Sequence, residues 1–237
     1  MKIYPSSAAF AWGDLIMTEY SSGCLRYLLF KQKLNIKTDI PEENQRMGEA
    51  GEEKYLEFML NEQPYPFHRE LPFKSEIDGV KVSGRMDFIS YHEGFRVIHE
   101  CKTSKSKPLL YGVIRKGEPK PGHIAQIVCY LVHLNETRAK LIVRYAPTGE
   151  SRIFKIEINE KGQILIDQKL YKHTVQEQIR HQLLSAKVLK EEIIWDRPCE
   201  GACRWCDCAD LCLKWDTQEY STPAQFFEEI KKGERDG

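Results

Sequence analysis

Apolar and polar residues alternate most regularly in the middle of the chain. Gly84-Arg85-Met86-Asp87-Phe88-Ile89-Ser90 and Val97-Ile98-His99-Glu100-Cys101-Lys102 read as two short strands. Both are rich in strand formers, and His92-Glu93-Gly94 reads as the turn between them. Upstream, Tyr65 to Tyr91 has strand character, with Asp78-Gly79 as a hairpin-turn signal. Downstream, residues 138–146 and 152–158 predict two more strands, the second alternating so that one face is wet. Helical spacing appears over 43–61, where Tyr55, Leu56, Phe58, Met59 and Leu60 supply the apolar face. It recurs over 122–134, where His123, Gln126, Ile127 and Tyr130 share one side. Three further helices are expected: 6–34, broken near Ser21-Ser22-Gly23; a long amphipathic one over 163–194, ended by Pro198 at the latest; and a weakly ordered, mixed-charge one from Tyr220 to Gly237. Residues 33–46 and 103–121 read as loops. The pattern predicts an α/β fold, a mixed central sheet flanked by helices.

Composition sets the outer limits. A chain of 237 residues fits one enlarged domain, or a domain with a small appendage. Hydrophobic residues at 41% and charged residues at 30% exclude a disordered chain. Lys+Arg and Asp+Glu both number 35, so net charge argues neither for nor against nucleic acid; any basic surface must come from local clustering. No apolar run reaches membrane-spanning length, and Met1-Lys2-Ile3-Tyr4-Pro5 lacks a signal-peptide core. The expectation is a soluble, cytoplasmic protein.

The two central strands carry the candidate chemistry. Glu100 and Lys102 are two apart, so their side chains leave the same face, and Asp87 lies on the adjacent strand. Carboxylate oxygens suit magnesium or manganese, and a nearby lysine can position and polarise an attacking water. This is equipment for metal-assisted phosphodiester hydrolysis. The plain alternative is a set of cross-strand ion pairs on a solvated face. Along the 43–61 helix, Glu49, Glu52, Glu53 and Glu57 are mostly solvated, but one facing inward would complete a metal site. Lys105, Lys107, Arg115, Lys116 and Lys120, with His123 just beyond, form the most basic stretch. Such a stretch beside a metal site holds phosphates, or is only a solvated charge run; both readings stay open.

Five of the eight cysteines fall between Cys199 and Cys212. In a reducing compartment such clustering points to a metal rather than to disulfides. Cys203-x2-Cys206-x5-Cys212 supplies three thiolates, and both an iron–sulfur cubane and a structural zinc want four ligands. Cys208 or Cys199 would close the set locally around zinc.

Gly84-Arg85-Met86-Asp87, then Glu100-Cys101-Lys102, then Gln126-x3-Tyr130, resembles the PD-(D/E)xK nuclease superfamily in its RecB-like form. Gly48-x3-Glu52 sits where these nucleases carry an early metal-site motif, often with histidine where this chain has Glu52; Glu53 is the alternative. One cysteine near the N-terminus with a C-terminal Cys-x2-Cys-x5-Cys is similar to the iron–sulfur branch. That branch includes the nuclease domain of the AddB helicase–nuclease subunit and the exonucleases associated with CRISPR adaptation. The resemblance implies a restriction-endonuclease-like core over 46–195. It also implies an N-terminal helical segment over 1–45 and a cysteine-rich cluster region and tail over 196–237. Asp87, Glu100, Glu52 and the Ile98/His99 strand backbone would bind Mg2+ or Mn2+. Lys102 would orient and polarise the water, and Gln126 and Tyr130 would hold the substrate backbone or the lysine. Cys24, Cys203, Cys206 and Cys212 would ligate a structural 4Fe–4S cluster, with Cys101, Cys129, Cys199 and Cys208 as bystanders. The implied activity is DNA hydrolysis on single-stranded or end-containing DNA, in repair, recombination or CRISPR adaptation. A reading from another class is a DNA-binding adaptor that hands DNA ends to an integrase or helicase. Against it, a decayed module has little physical reason to keep an acid–acid–lysine trio.

Overall fold

A computed structural model of the chain describes residues 10–11, 30, 34, 42–62, 66–77, 79–92, 94–179, 209–217 and 223–233. The chain divides into two compact units: Met1–Thr38, Glu76–Val82 and His181–Gly237 form one, and Asp39–Ser75 with Ser83–Arg180 forms the other. Among the described residues no helix is long and apolar enough to cross a membrane.

The larger unit is built on a mixed sheet. The two-residue strand β1 (Phe10–Ala11) belongs to the other unit; here helix α1 (Glu42–Glu62) is followed by β2 (Phe67–Ile77), β3 (Val80–His92) and β4 (Phe95–Ser104). A π-helical turn (Leu109–Arg115) and α2 (Pro121–Leu134) follow, then β5 (Arg138–Tyr145), β6 (Ser151–Ile158), β7 (Gln163–Ile166) and β8 (Lys169–Thr174). The order is β3-β4-β5-β6-β7-β8, with β2 paired to β3. β4 and β5 are parallel, which requires a crossover, and α2 supplies it. β3–β4, β5–β6, β6–β7 and β7–β8 are antiparallel hairpins. The tight turns use Gly79 at φ +78° and Gly94 at φ +83°, conformations that cost glycine nothing.

The two-residue period of the strands gives each sheet face its own cover. On one face Ile98, Leu141, Val143, Phe154, Ile156 and Ile164 are buried, and α2 packs there against β4 and β5. On the other, Phe88 and Ile142 pack with Tyr55 and Met59 of α1. Burying each such side chain contributes on the order of 1.5–3 kcal/mol. Gly51 is where α1 comes closest. A Cβ there would lie 1.8 Å from the Thr103 hydroxyl oxygen, whereas at Gly48 it would meet nothing within 4 Å.

In the smaller unit, α3 (Ala209–Thr217) and α4 (Pro223–Gly233) are joined by Lys214 and Glu229 at 3.1 Å. Phe226 and Phe227 pack on Phe30 with ring centroids 5.4 and 5.9 Å away. The expected C-terminal helix is present over Pro223–Gly233 and is anchored by an apolar face.

Three sequence expectations fail here. Residues 163–174 form the hairpin β7–β8, not the start of a helix. Ile164 and Ile166 alternate inward, and Asp167 and Gln168 turn the chain at φ 50° and 67°, the backbone of a tight hairpin turn. Helix begins only at 175, behind a reciprocal cap: Glu177 N–H donates to Thr174 Oγ1 at 3.3 Å, and Thr174 N–H to Glu177 Oε2 at 2.6 Å. The remainder of that expected helix lies outside the described residues, as does most of 6–34, where Phe10–Ala11 is strand. The basic stretch 103–121 is likewise not simply a loop. β4 runs on to Ser104, and the π-helical turn buries Leu109, Leu110, Val113 and Ile114.

Candidate active site

The register Phe88↔His99 sets Asp87 opposite Glu100, on the sheet face under α2. There the side chains take over from the ladder. Asp87 Oδ2 accepts the Cys101 backbone N–H at 2.6 Å. Glu100 is 2% exposed, and its Oε1 accepts both the Lys102 ammonium and, at 2.9 Å, the Gln126 amide. The other Gln126 bond goes to Tyr130 Oη at 3.2 Å, and Tyr130 donates to the Arg85 carbonyl at 3.3 Å. The spacing i, i+4 on α2 makes this chain of contacts geometrically available. Glu100 Oε2 is buried with no hydrogen-bond partner.

Burial dominates the electrostatics. It pushes the Glu100 carboxyl up to about 7; Lys102 works against the rise, and the Asp87 charge adds to it. Burial also raises Asp87, opposed by the Cys101 N–H and Lys102. Burial disfavours the Lys102 charge, but Glu100 and Asp87 outweigh it and hold the ammonium above its ordinary value. Glu52 on α1 is raised, first by burial and then by Asp87, which puts it within electrostatic reach of the pair. Its neighbour Glu53 instead faces Arg69 at 2.5 Å. Of the two acids it is Glu52 that addresses the site.

Other expected residues fall elsewhere. Ile98 is core. His99 faces the opposite side of the sheet, where Tyr55 Oη meets its Nδ1 at 2.8 Å and Ser90 Oγ its Nε2 at 2.7 Å. The main chain of both lies between β3 and β5, paired on each side. Lys105 pairs with Glu43 at 2.7 Å and Arg115 with Glu150 at 2.9 Å. Lys107 and Lys116 are exposed, and Lys120 is the N-cap of α2. Only His123 of that group looks inward: its Nδ1 is buried without a partner. Burial first, then Lys102 and Lys120, hold the imidazole down at about 3. Cys24, Cys199, Cys203, Cys206 and Cys208 lie outside the described residues; Cys212 is buried in α3. Sequence reasoning missed the Tyr55–His99–Ser90 chain, which joins residues 44 apart, and the close packing at Gly51.

The donor set fits a hard divalent ion. Among the described residues no three His, Cys, Asp or Glu side chains converge as a ready cage. Magnesium does not need one: it keeps several waters and is held through one or two carboxylates plus substrate phosphates. The unfilled Glu100 Oε2, in a carboxyl that burial and the neighbouring Asp87 charge make reluctant to ionise, is the kind of oxygen a cation completes.

The structure is similar to several solved ones, all at identities that speak to fold alone. One is a protein designated SSO0001 (18% identity, 88% of each chain, TM-score 0.52). Another is an alkaline exonuclease from Laribacter hongkongensis (13% identity, 78% of this chain and 89% of that one, TM-score 0.55). A third is a phage-related exonuclease from Haemophilus somnus 129PT (9% identity, 78% and 94%, TM-score 0.51). No curated protein gives a match to this chain. A family model described as the PD-(D/E)XK nuclease superfamily matches residues 24–213, which take in Asp87, Glu100, Lys102, Gln126 and Tyr130. On that match and this fold, the chain belongs to the PD-(D/E)XK nuclease superfamily.

Proposed function

We propose that the protein is a divalent-metal-dependent DNA nuclease that hydrolyses phosphodiester bonds, acting as an exonuclease on single-stranded or end-containing DNA. The observation that carries this is a buried Glu100 with one oxygen held by Lys102 and Gln126 and the other left unfilled, opposite Asp87. Two structures of similar fold carry exonuclease names, in keeping with action at chain ends. Asp87 and Glu100, with Glu52 alongside, would hold Mg2+ or Mn2+. When bound, the ion supplies charge stabilisation at the phosphoryl oxygens and lowers the pKa of its water. The chain's own residues do the positioning. Lys102 keeps a fixed positive charge beside the acids, suited to orient the water and neutralise charge as it develops. Gln126 and Tyr130 hold Glu100 from α2, so that the carboxylate is presented without reorganisation.

Two measurements test this. Asp87→Ala should abolish cleavage of end-labelled DNA in Mg2+ or Mn2+ while binding persists; if the variant cuts at the wild-type rate, the site is misassigned. A wild-type protein that binds DNA but cuts none with either ion would favour the adaptor reading. Independently of activity, either ion should raise the wild-type Tm, by roughly the amount that selective binding to the folded state stabilises it. The rise should vanish in Glu100→Gln.

The cysteines belong to the same proposal. Cys24, Cys203, Cys206 and Cys212 would hold a structural 4Fe–4S cluster joining residues about 180 positions apart. Its support is that Phe30, six residues beyond Cys24, packs against α4, so the two ends of the chain meet in one unit. Protein purified without oxygen should be brown, with absorbance near ~400 nm from iron–thiolate bonding. A colourless protein with stoichiometric zinc would replace the cluster with a zinc site.

A further inference from the structure

The sheet face away from Glu100 is covered by α1 only as far as β5. Beyond it, a groove of about 160 Å³ runs between α1 and β5–β6. Tyr55, Phe58, Ile142 and Ile153 line it, with Gly51 and Arg144 at one end. Phe58 is 41% and Ile153 38% exposed. Phe58 stacks on Tyr55 with one ring face (centroids 5.8 Å, planes 22° apart).

Cations flank this apolar floor. Lys140 and Lys155 are direct cross-strand partners, and Arg144 lies four residues along β5 on the same face. Burial first, and then the Lys155 charge, hold Lys140 below its ordinary value, and the register keeps the two side chains side by side. Among the nearby acids Glu150 pairs with Arg115 and Asp167 with Arg152, while Glu157 stands two residues along β6 from Lys155, across from Arg138. Among the described residues no ion pair forms at Lys140, Arg144 or Lys155. Three unneutralised cations beside an exposed aromatic match an anion with flat apolar parts in both charge and shape.

The groove opens at the end of the sheet that carries the candidate active site. Arg144 is in register with Thr103, the residue after Lys102, and Gly51 precedes Glu52 on α1. A floor two strands wide, roughly 10 Å at about 4.8 Å per strand, accommodates one nucleic-acid strand. We infer that this groove binds single-stranded DNA, with phosphates on Lys140, Arg144 and Lys155 and a base stacked on Phe58, outside the hydrolytic centre. The inference rests on the nuclease reading and adds where the strand runs.

The test uses the full chain with EDTA present, so that binding is read without cleavage. Affinity for a labelled oligo-dT is followed by anisotropy across salt concentrations. In K140A/R144A/K155A the slope of log affinity against log salt should flatten by about 2, at about 0.7 per lost phosphate contact. Phe58→Ala should weaken binding roughly tenfold through lost base stacking. With Mn2+ restored, both variants should hydrolyse the p-nitrophenyl ester of thymidine 5′-monophosphate at the wild-type rate, since so short a substrate cannot reach the groove. If a variant loses that activity as well, Phe58→Trp takes its place: oligo-dT should quench its added indole emission, and no quench overturns the proposal. Wild-type affinity and salt slope in both variants, alongside intact wild-type cleavage, overturn the groove assignment and leave the nuclease reading standing. A wild-type protein that neither binds nor cuts single strands removes both. Affinity for polyglutamate lost in the same variants, with oligo-dT binding unchanged, would overturn the assignment by giving the groove to an acidic protein partner.

Discussion

His99 and Glu100 are adjacent on β4, equally buried, and opposite in character. His99 points toward α1, where both ring nitrogens have partners, one donating and one accepting with Tyr55 and Ser90. Burial, reinforced by the Lys140 charge, keeps it neutral, with its pKa held down at about 3. Glu100 points toward α2, shares one oxygen between Lys102 and Gln126, and leaves the other unsatisfied. Burial moves both pKa values in the direction that disfavours charge, yet only one side has completed its hydrogen bonds. A buried site such as His99, whose ring nitrogens are both satisfied, is structural. A face that leaves a buried carboxylate oxygen open is built to receive something.

That contrast fails if the two faces respond alike to substitution. Lys102→Ala should lower kcat for DNA cleavage by about a thousandfold, the size expected for one preorganised electrostatic group, while its stability loss is limited because Glu100 can take up a proton once the ammonium is gone. His99→Ala should do the reverse. It strands the Tyr55 hydroxyl and Ser90 Oγ in a dry site and opens a cavity, costing roughly 3 kcal/mol. Urea unfolding reads this, while cleavage per folded molecule stays near wild type. Equal losses of activity in the two variants would dissolve the distinction.

A smaller effect comes from the α1 side. Gly51→Ala forces a methyl into Thr103 and should destabilise by about 1–3 kcal/mol, as overpacking does; Gly48→Ala should not. Thr103→Ala should recover part of the loss.

The pH dependence builds up gradually, unit by unit, and its sign is fixed. Between pH 6.5 and about 3 an unfolded His99 binds a proton that the folded one refuses, so its contribution to stability falls as pH falls. The stability advantage of wild type over His99→Gln should therefore shrink below pH 6.5, by up to about 1.4 kcal/mol per pH unit. Glu100, raised to about 7, acts oppositely and weakens the fold as pH rises from 4.5 toward 7. An advantage that grows on acidification would mean His99 is charged in the folded protein.

Much of the site was legible because it is local. Asp87, Glu100 and Lys102 follow from strand alternation, and Gln126 and Tyr130 from helical spacing. What escaped was set by partners far along the chain or by turns. His99 looked available because nothing near it in sequence shows that Tyr55 closes its hydrogen bonds. Gly48 looked like the motif glycine, but the steric demand falls on Gly51, through Thr103. The β7–β8 hairpin was read as helix because Ile164 and Ile166 are too few to declare a period, and the turn uses Asp167-Gln168 rather than glycine. The cap at Thr174 and Glu177 was present in the sequence and marks where helix can begin.

The hairpin of β3 and β4 has a consequence for how the site comes into being. Asp87 and Glu100 are 13 positions apart on one antiparallel pair, a short loop that closes early at small entropic cost. Gln126 arrives only after the parallel crossover docks, a slower, non-local event. The acids thus meet while still wet, and their dehydration is deferred to the final closure of α2. Assembly postpones its least favourable electrostatic step until the rest of the scaffold is in place to enforce it.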